Sequence, residues 1–143
     1  MPYYPHEVGW LEISVNLTDA QIKAGFTSPV TILPAPGANL IYEIDKWSLT
    51  LDSAAGAYVG GGNAVLTLNS VAVGSTIAAA FFTGDAAASK RRFTGAVLNP
   101  VLTSTEVNKA LLYSHLSADF TGGNAANKGT VNVIYRLVSS LPA

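Results

Sequence analysis

Apolar side chains occupy every second position in two well-separated stretches of this chain. Leu11, Ile13, Val15 and Leu17 alternate with Glu12, Ser14 and Asn16. Val131, Val133, Tyr135 and Leu137 alternate with Asn132, Ile134 and Arg136. A repeat of two is the period of a β-strand with one face on a core, and it excludes an amphipathic helix in either place. Leu40 to Asp52 carries the same signal with one fault. Leu40, Tyr42 and Ile44 hold one parity, while Trp47, Leu49 and Leu51 hold the other. One extra residue reverses side-chain direction, so a β-bulge between Ile44 and Trp47 would restore a single buried face. A strand buried on different faces at its two ends is the rival explanation.

The remaining segments fill in around these. Thr18-Asp19-Ala20-Gln21 has the form of a capping box, opening a short helix over about residues 19–25. Gly25 suits its C-terminal end, and Ile22 and Phe26, four apart, are expected to share a buried face. Pro29 to Leu33, Ala64 to Leu68, Phe93 to Leu98 and Ala110 to Leu116 read as further strands, with Pro34-Ala35-Pro36-Gly37 as a turn. Val71 and Val73 lie in a connecting piece, and Ser75 to Phe82 fits helix or strand equally well. Ser53 to Asn63 and Thr83 to Arg92 read as loops. With about eight strand candidates and one short helix, the expected fold is all-β: a single-domain β-sandwich, jelly-roll-like, over residues 11–143, preceded by an extended arm over residues 1–10.

Composition narrows the function. At 143 residues the chain can bury about 70% of its unfolded surface. Only 12% of residues are charged against 49% hydrophobic, which excludes an intrinsically disordered chain. Eight cations against nine anions argue against nucleic acid as a partner, because counterion release needs a basic surface. There is no apolar run long enough for a spanning helix, so no membrane partner is expected. Met1 to Glu7 has no basic and apolar leader pattern, so synthesis in a cytoplasm is expected. Cysteine is absent, which removes disulfides and thiolate metal sites. A surface of Ala, Gly, Ser, Thr and Asn is easy to desolvate, because few ions must leave water. That favours contact with copies of the chain or with a larger lattice.

Catalytic signatures fail one by one. Gly60-Gly61-Gly62 lacks the Lys-Ser/Thr of a phosphate loop and reads as a turn between strands. His6 and His115 have no metal-ligand spacing between them, and His115 lies in an apolar stretch as a packed or interface histidine. Ser114 adjoins it but points to the opposite face, so the two cannot act as nucleophile and base. Asp45, Asp52, Asp85 and Asp119 are dispersed and form no calcium loop. Lys90-Arg91-Arg92 is the one charge run and reads as a solvated loop, with an acidic protein neighbour as the open alternative. Asn16-Leu17-Thr18 matches a glycosylation acceptor by chance. No catalytic residue, cofactor, metal or small-molecule substrate is expected, and the chain is read as not an enzyme. The N-terminal stretch carries Pro2, Tyr3, Tyr4, Pro5, His6 and Trp10. Its prolines forbid helix and lower the entropy lost on ordering, and Tyr and Trp are favoured interface anchors.

The order of these segments carries a resemblance. Lys23-Ala24-Gly25-Phe26 leads into Pro29-Val30-Thr31-Ile32-Leu33-Pro34-Ala35-Pro36-Gly37, then a long strand, then Ala57-Tyr58-Val59-Gly60-Gly61-Gly62-Asn63. Asp119-Phe120-Thr121-Gly122-Gly123-Asn124 and Val131 to Val138 follow near the end. Over most of residues 11–138 this resembles the small β-sandwich virion proteins of tailed bacteriophages, mostly capsid decoration (cement) proteins. The resemblance implies a homotrimer on the exterior of the capsid that bridges major capsid proteins, its weak contacts summed by multivalency. It would place an interface on the arm from Pro2 to Trp10, and secondarily on the loops around Tyr58 and Asn63 and around Phe120 and Asn124, read as exposed aromatics beside glycine. A tail or fibre component is the alternative within that class. A carbohydrate-binding β-sandwich module is the alternative outside it, with Trp10, Trp47 and the tyrosines stacking on sugars; burial of Trp47 would weaken that reading.

Overall fold

The computed structural model describes residues 9–84, 88–95 and 104–139. In chain order they form β1 (Leu11–Thr18), α1 (Asp19–Lys23), β2 (Val30–Leu33), β3 (Leu40–Ser53), β4 (Tyr58–Gly60), β5 (Ala64–Leu68) and β6 (Val71–Ala72). Then come α2 (Ala80–Thr83), β7 (Ser89–Gly95), a 3-10 turn at Ser104–Glu106, β8 (Leu111–His115), β9 (Phe120–Gly122) and β10 (Lys128–Ser139). The strands make two four-stranded antiparallel sheets, β1-β10-β3-β7 and β2-β8-β5-β6, and a small sheet of β4 with β9. The fold is an all-β sandwich, as the alternation requires.

The core lies between the two large sheets. Leu17, Trp47, Leu49, Leu51, Val131 and Val133 project from one, and Ile32, Leu66, Leu68, Leu111 and Tyr113 from the other. β5 is buried at all five positions, and so shows no alternation: both its faces are covered. The parity fault in β3 is a bulge. Ile44 pairs with Tyr135 and Lys46 with Ile134, leaving Asp45 over. Tyr42, Ile44, Trp47, Leu49 and Leu51 thereby share the inner face, and Asp45 and Lys46 stay exposed.

Helix α1 starts where the capping box puts it. The Thr18 hydroxyl accepts from the Gln21 N–H, and the Gln21 side chain accepts from the Thr18 N–H. Three local expectations are corrected. Helix α1 stops at Lys23, so the four-residue spacing no longer aligns Ile22 with Phe26: Ile22 is buried and Phe26 exposed. Lys90-Arg91-Arg92 lies in β7 and not in a loop. Arg91 can sit on the inner side of that strand because its guanidinium stacks on the Phe81 ring, 5.1 Å from the centroid. Part of the glycine-rich stretch is strand, β4, paired with β9 across 62 residues of sequence. Ser75 to Phe82 divides: Ile77 bridges Ala64, and helix α2 begins at Ala80.

Candidate interaction surface

Each of the two large sheets has an inner and an outer face, and the outer face of β1-β10-β3-β7 carries ordered rows of polar side chains. Its rows follow from the register. Ser14, Asn132, Ser48 and Thr94 stand side by side across the four strands, as do Asn16, Thr130, Thr50 and Arg92. Neighbours are tied together within and between rows: the Ser14 hydroxyl donates to the Asn132 side-chain oxygen and Thr130 to that of Asn16 at 3.2 Å within their rows, and Arg92 reaches across to the Ser48 hydroxyl of the adjacent row at 3.4 Å. The next row alternates in sign, with Lys128 and Lys90 on either side of Asp52. The Lys90–Asp52 pair is 3.6 Å apart and well exposed, which makes it energetically weak. A groove of about 470 Å³ runs along this end of the face, lined by Asn16, Asp52, Lys90 and Lys128 among others.

Trp10 stands at the opposite end of the same sheet. It is 42% exposed, with the Arg136 guanidinium 4.6 Å from its ring centroid. Arg136 is itself held by Glu43, Nε to Oε2 at 2.8 Å, which raises its pKa further above an already high value. Trp10 is thus a pre-positioned aromatic with its ring already stacked by a cation. Exposed Leu11 follows it in sequence and exposed Leu137 follows Arg136 on β10, both on the other side of the sheet by strand alternation.

The loop candidates divide differently. Tyr58 and Phe120 are buried, which corrects the reading of them as exposed aromatics. They lie in an aromatic cluster with Phe82 and His115: Phe82 is 5.0 Å from Phe120 and 5.3 Å from His115 between ring centroids. Glycine flanks them because backbone packs on their rings: a Cβ at Gly61 would lie 2.3 Å from Phe120, and one at Gly123 2.6 Å from Tyr58. The Tyr58 hydroxyl donates to the Asp19 carboxylate at 2.8 Å, and burial pushes its pKa well up. Asn63 and Asn124 staple backbone. The Asn63 side-chain oxygen accepts from the Ala79 N–H, and Asn124 donates to the Ala55 carbonyl and accepts from Ala126. Pro2, Tyr3, Tyr4, Pro5 and His6 lie outside the described residues, as does Asp85.

His115 is enclosed. Its Nδ1 meets the Gly62 carbonyl at 3.3 Å and its Nε2 the Tyr113 hydroxyl at 2.9 Å. Burial lowers its pKa, against the opposing pull of the Gly62 and Ile22 carbonyls and the Asp119 charge. Asp119 is used as a loop clamp. It accepts the Thr27 hydroxyl at 2.6 Å and the N–H groups of Phe26 and Thr27 at 2.9 and 3.0 Å, contacts that hold its pKa below the ordinary carboxylate value. Trp47, the other aromatic named for sugar stacking, is buried at 1% exposure. The hydroxyl and amide rows were not singled out from the sequence. Their signal was the outward half of the same alternation, Ser14, Asn16, Asn132 and Thr130, whose alignment depends on register.

No family model and no curated protein matches this chain.

Proposed function

We propose that this chain is a structural subunit of a tailed-phage virion, in the first instance a decoration protein of the head exterior that binds its own copies and the major capsid protein. The observation that carries the reading is the outer face of the β1-β10-β3-β7 sheet. Its hydroxyl and amide side chains are already ordered by one another, so covering them loses little rotamer freedom. The same face carries ions of both signs, Glu12, Glu43, Lys46, Asp52, Lys90, Arg92, Lys128 and Arg136, of which Lys90–Asp52 and Arg136–Glu43 are already paired. A surface of that kind adheres to a lattice through area and multiplicity, with the Trp10 end and the arm before it as anchors. The resemblance in segment order supplies the virion and the capsid partner.

The test is co-sedimentation of the purified chain with phage heads that lack it and, in parallel, with isolated tails. Saturable binding to heads, reduced on removal of residues 1–9, is expected. Binding to tails alone would move the subunit to the tail or fibre, and binding to neither would overturn the proposal. The sugar-binding alternative has lost Trp47, Tyr42, Tyr58 and Tyr113 to the core and keeps, among the described residues, Trp10 and the half-buried Tyr135. Selective binding on a glycan array by a chain that ignores particles would revive it.

A further inference from the structure

We propose that β1 is a self-pairing edge, through which two copies of this chain join their four-stranded sheets into one continuous sheet. The two large sheets present four edges: β1 and β7 on one, β2 and β6 on the other. A sheet edge offers unpaired N–H and C=O groups, and folds blunt such edges with short strands, prolines, charge or bulges. Three of the four are blunted in those ways. β6 has two residues, β2 is bracketed by Pro29 and Pro34, and β7 carries Lys90, Arg91 and Arg92. β1 is left open. It runs eight residues with unbroken register against β10, its only strand partner among the described residues, and carries a single charge, Glu12. Ile13 and Val15 are only half-buried on its inner side, and Leu11 is 47% exposed.

The sequence of β1 specifies a second copy as the occupant. In a two-fold antiparallel pair that keeps inner face beside inner face, opposed residues must share parity. Pairing centred on Ser14 sets Leu11 opposite Leu17, Ile13 opposite Val15 and Glu12 opposite Asn16 of the second copy. Apolar then faces apolar throughout, and the one carboxylate faces an amide and not its own image. The two outer faces merge into a single surface twice as wide. This contact rests on the reading of the chain as an assembly subunit, yet its symmetry is two-fold, unlike the trimer that the resemblance implies.

The chain has no cysteine, so a single introduced thiol reports the pairing cleanly. Ser14→Cys places two thiols on directly opposed strand positions, within the Cα separation that a disulfide spans. Under mild oxidation it is expected to cross-link into a covalent dimer, whereas Thr94→Cys, on the same face but on the β7 edge, is not. Sedimentation of the unmodified chain is expected to show a dimer, weakened several-fold in both Ser14→Lys and Ser14→Glu and restored when those two variants are mixed. A monomer or a trimer in sedimentation, equal cross-linking at both positions, or no restoration on mixing overturns the proposal. A cross-linking dimer that ignores phage heads would end the capsid reading and leave this contact standing. Occupancy of heads by a chain that does not cross-link would do the reverse.

Discussion

Gly25 packs flat against the imidazole of His115: a Cβ at position 25 would lie 2.0 Å from the ring carbon Cδ2 and 2.8 Å from Nε2. The backbone between α1 and β2 therefore lies directly on the end of β8, fastened there by the His115 N–H donating to the Gly25 carbonyl at 3.0 Å. Glycine is required here for proximity and not for an unusual backbone angle, since Gly25 is not among the residues with positive φ.

Gly25→Ala is accordingly expected to destabilise the fold by about 1–3 kcal/mol, the range for overpacking a filled interior. His115→Ala removes the obstructing ring, so the double variant should lose less than the sum of the single losses. Urea unfolding of the four proteins measures the coupling. Strict additivity would show that the contact does not limit the packing.

The lowered pKa of His115 fixes a sign for the pH dependence of stability. The unfolded chain takes up a proton near pH 6.5 and the folded chain resists it to lower pH. The stabilisation is therefore complete above about pH 6.5 and falls as pH drops from there toward the depressed folded value. Thermal midpoints measured across that interval should decline toward acid in the native chain. They should decline less in His115→Gln, which keeps a polar side chain without a titrating ring. Parallel declines in the two proteins would assign the slope to other groups.

Asp119 titrates lower. Its carboxylate binds the Thr27 hydroxyl and two backbone N–H groups and is held below its ordinary value of 3.8. Its contribution is present above that ordinary value and is lost as pH falls through the lowered one. Asp119→Asn is expected to flatten the acid limb of the stability profile below about pH 4, with little effect near neutrality on its pH slope. Amide exchange at Phe26 and Thr27 should quicken in the variant, because the anionic acceptor is the stronger one.

Much of this architecture was legible because it is local or periodic. Ile44 and Trp47 have opposite parity around a core, and one unpaired residue, Asp45, is the answer that both sequence and register return. Thr18 and Gln21 satisfy each other within three residues and need no tertiary help. The errors came where distant partners decide. Tyr58 and Phe120 sit beside glycines that read as exposed turns, but the glycines are there because rings from elsewhere in the chain lie on them. β4 and β9 have three residues each, too few to show a period. Arg91 looks like part of a solvated charge run until Phe81 is seen stacked on it. For the interaction surface, the arm and Trp10 were named from residue type, whereas the hydroxyl and amide rows exist only once Ser14, Asn132 and Ser48 are in register.

The two tryptophans are expected to respond in opposite ways. Trp47 is enclosed, with a Cβ at Gly74 or Gly95 lying 2.5 or 2.3 Å from its Nε1 and Phe93 5.6 Å away between ring centroids. Trp10 is exposed and meets the Arg136 guanidinium. Trp47→Ala removes a filled core volume and should cost about 3–5 kcal/mol, while Trp10→Ala forfeits an exposed cation–π contact worth about 0.5–1 kcal/mol. Fluorescence separates the two without unfolding. Replacing Trp10 by Phe leaves the shielded indole of Trp47 and should shift emission to the blue, while an added quencher should act on the native chain chiefly through Trp10. If Trp10 serves as an anchor, quenching of the native chain should fall when it is bound to its particle, and the Trp10→Ala variant should bind more weakly despite its near-native stability. Native affinity in that variant would show that the exposed indole takes no part in adhesion.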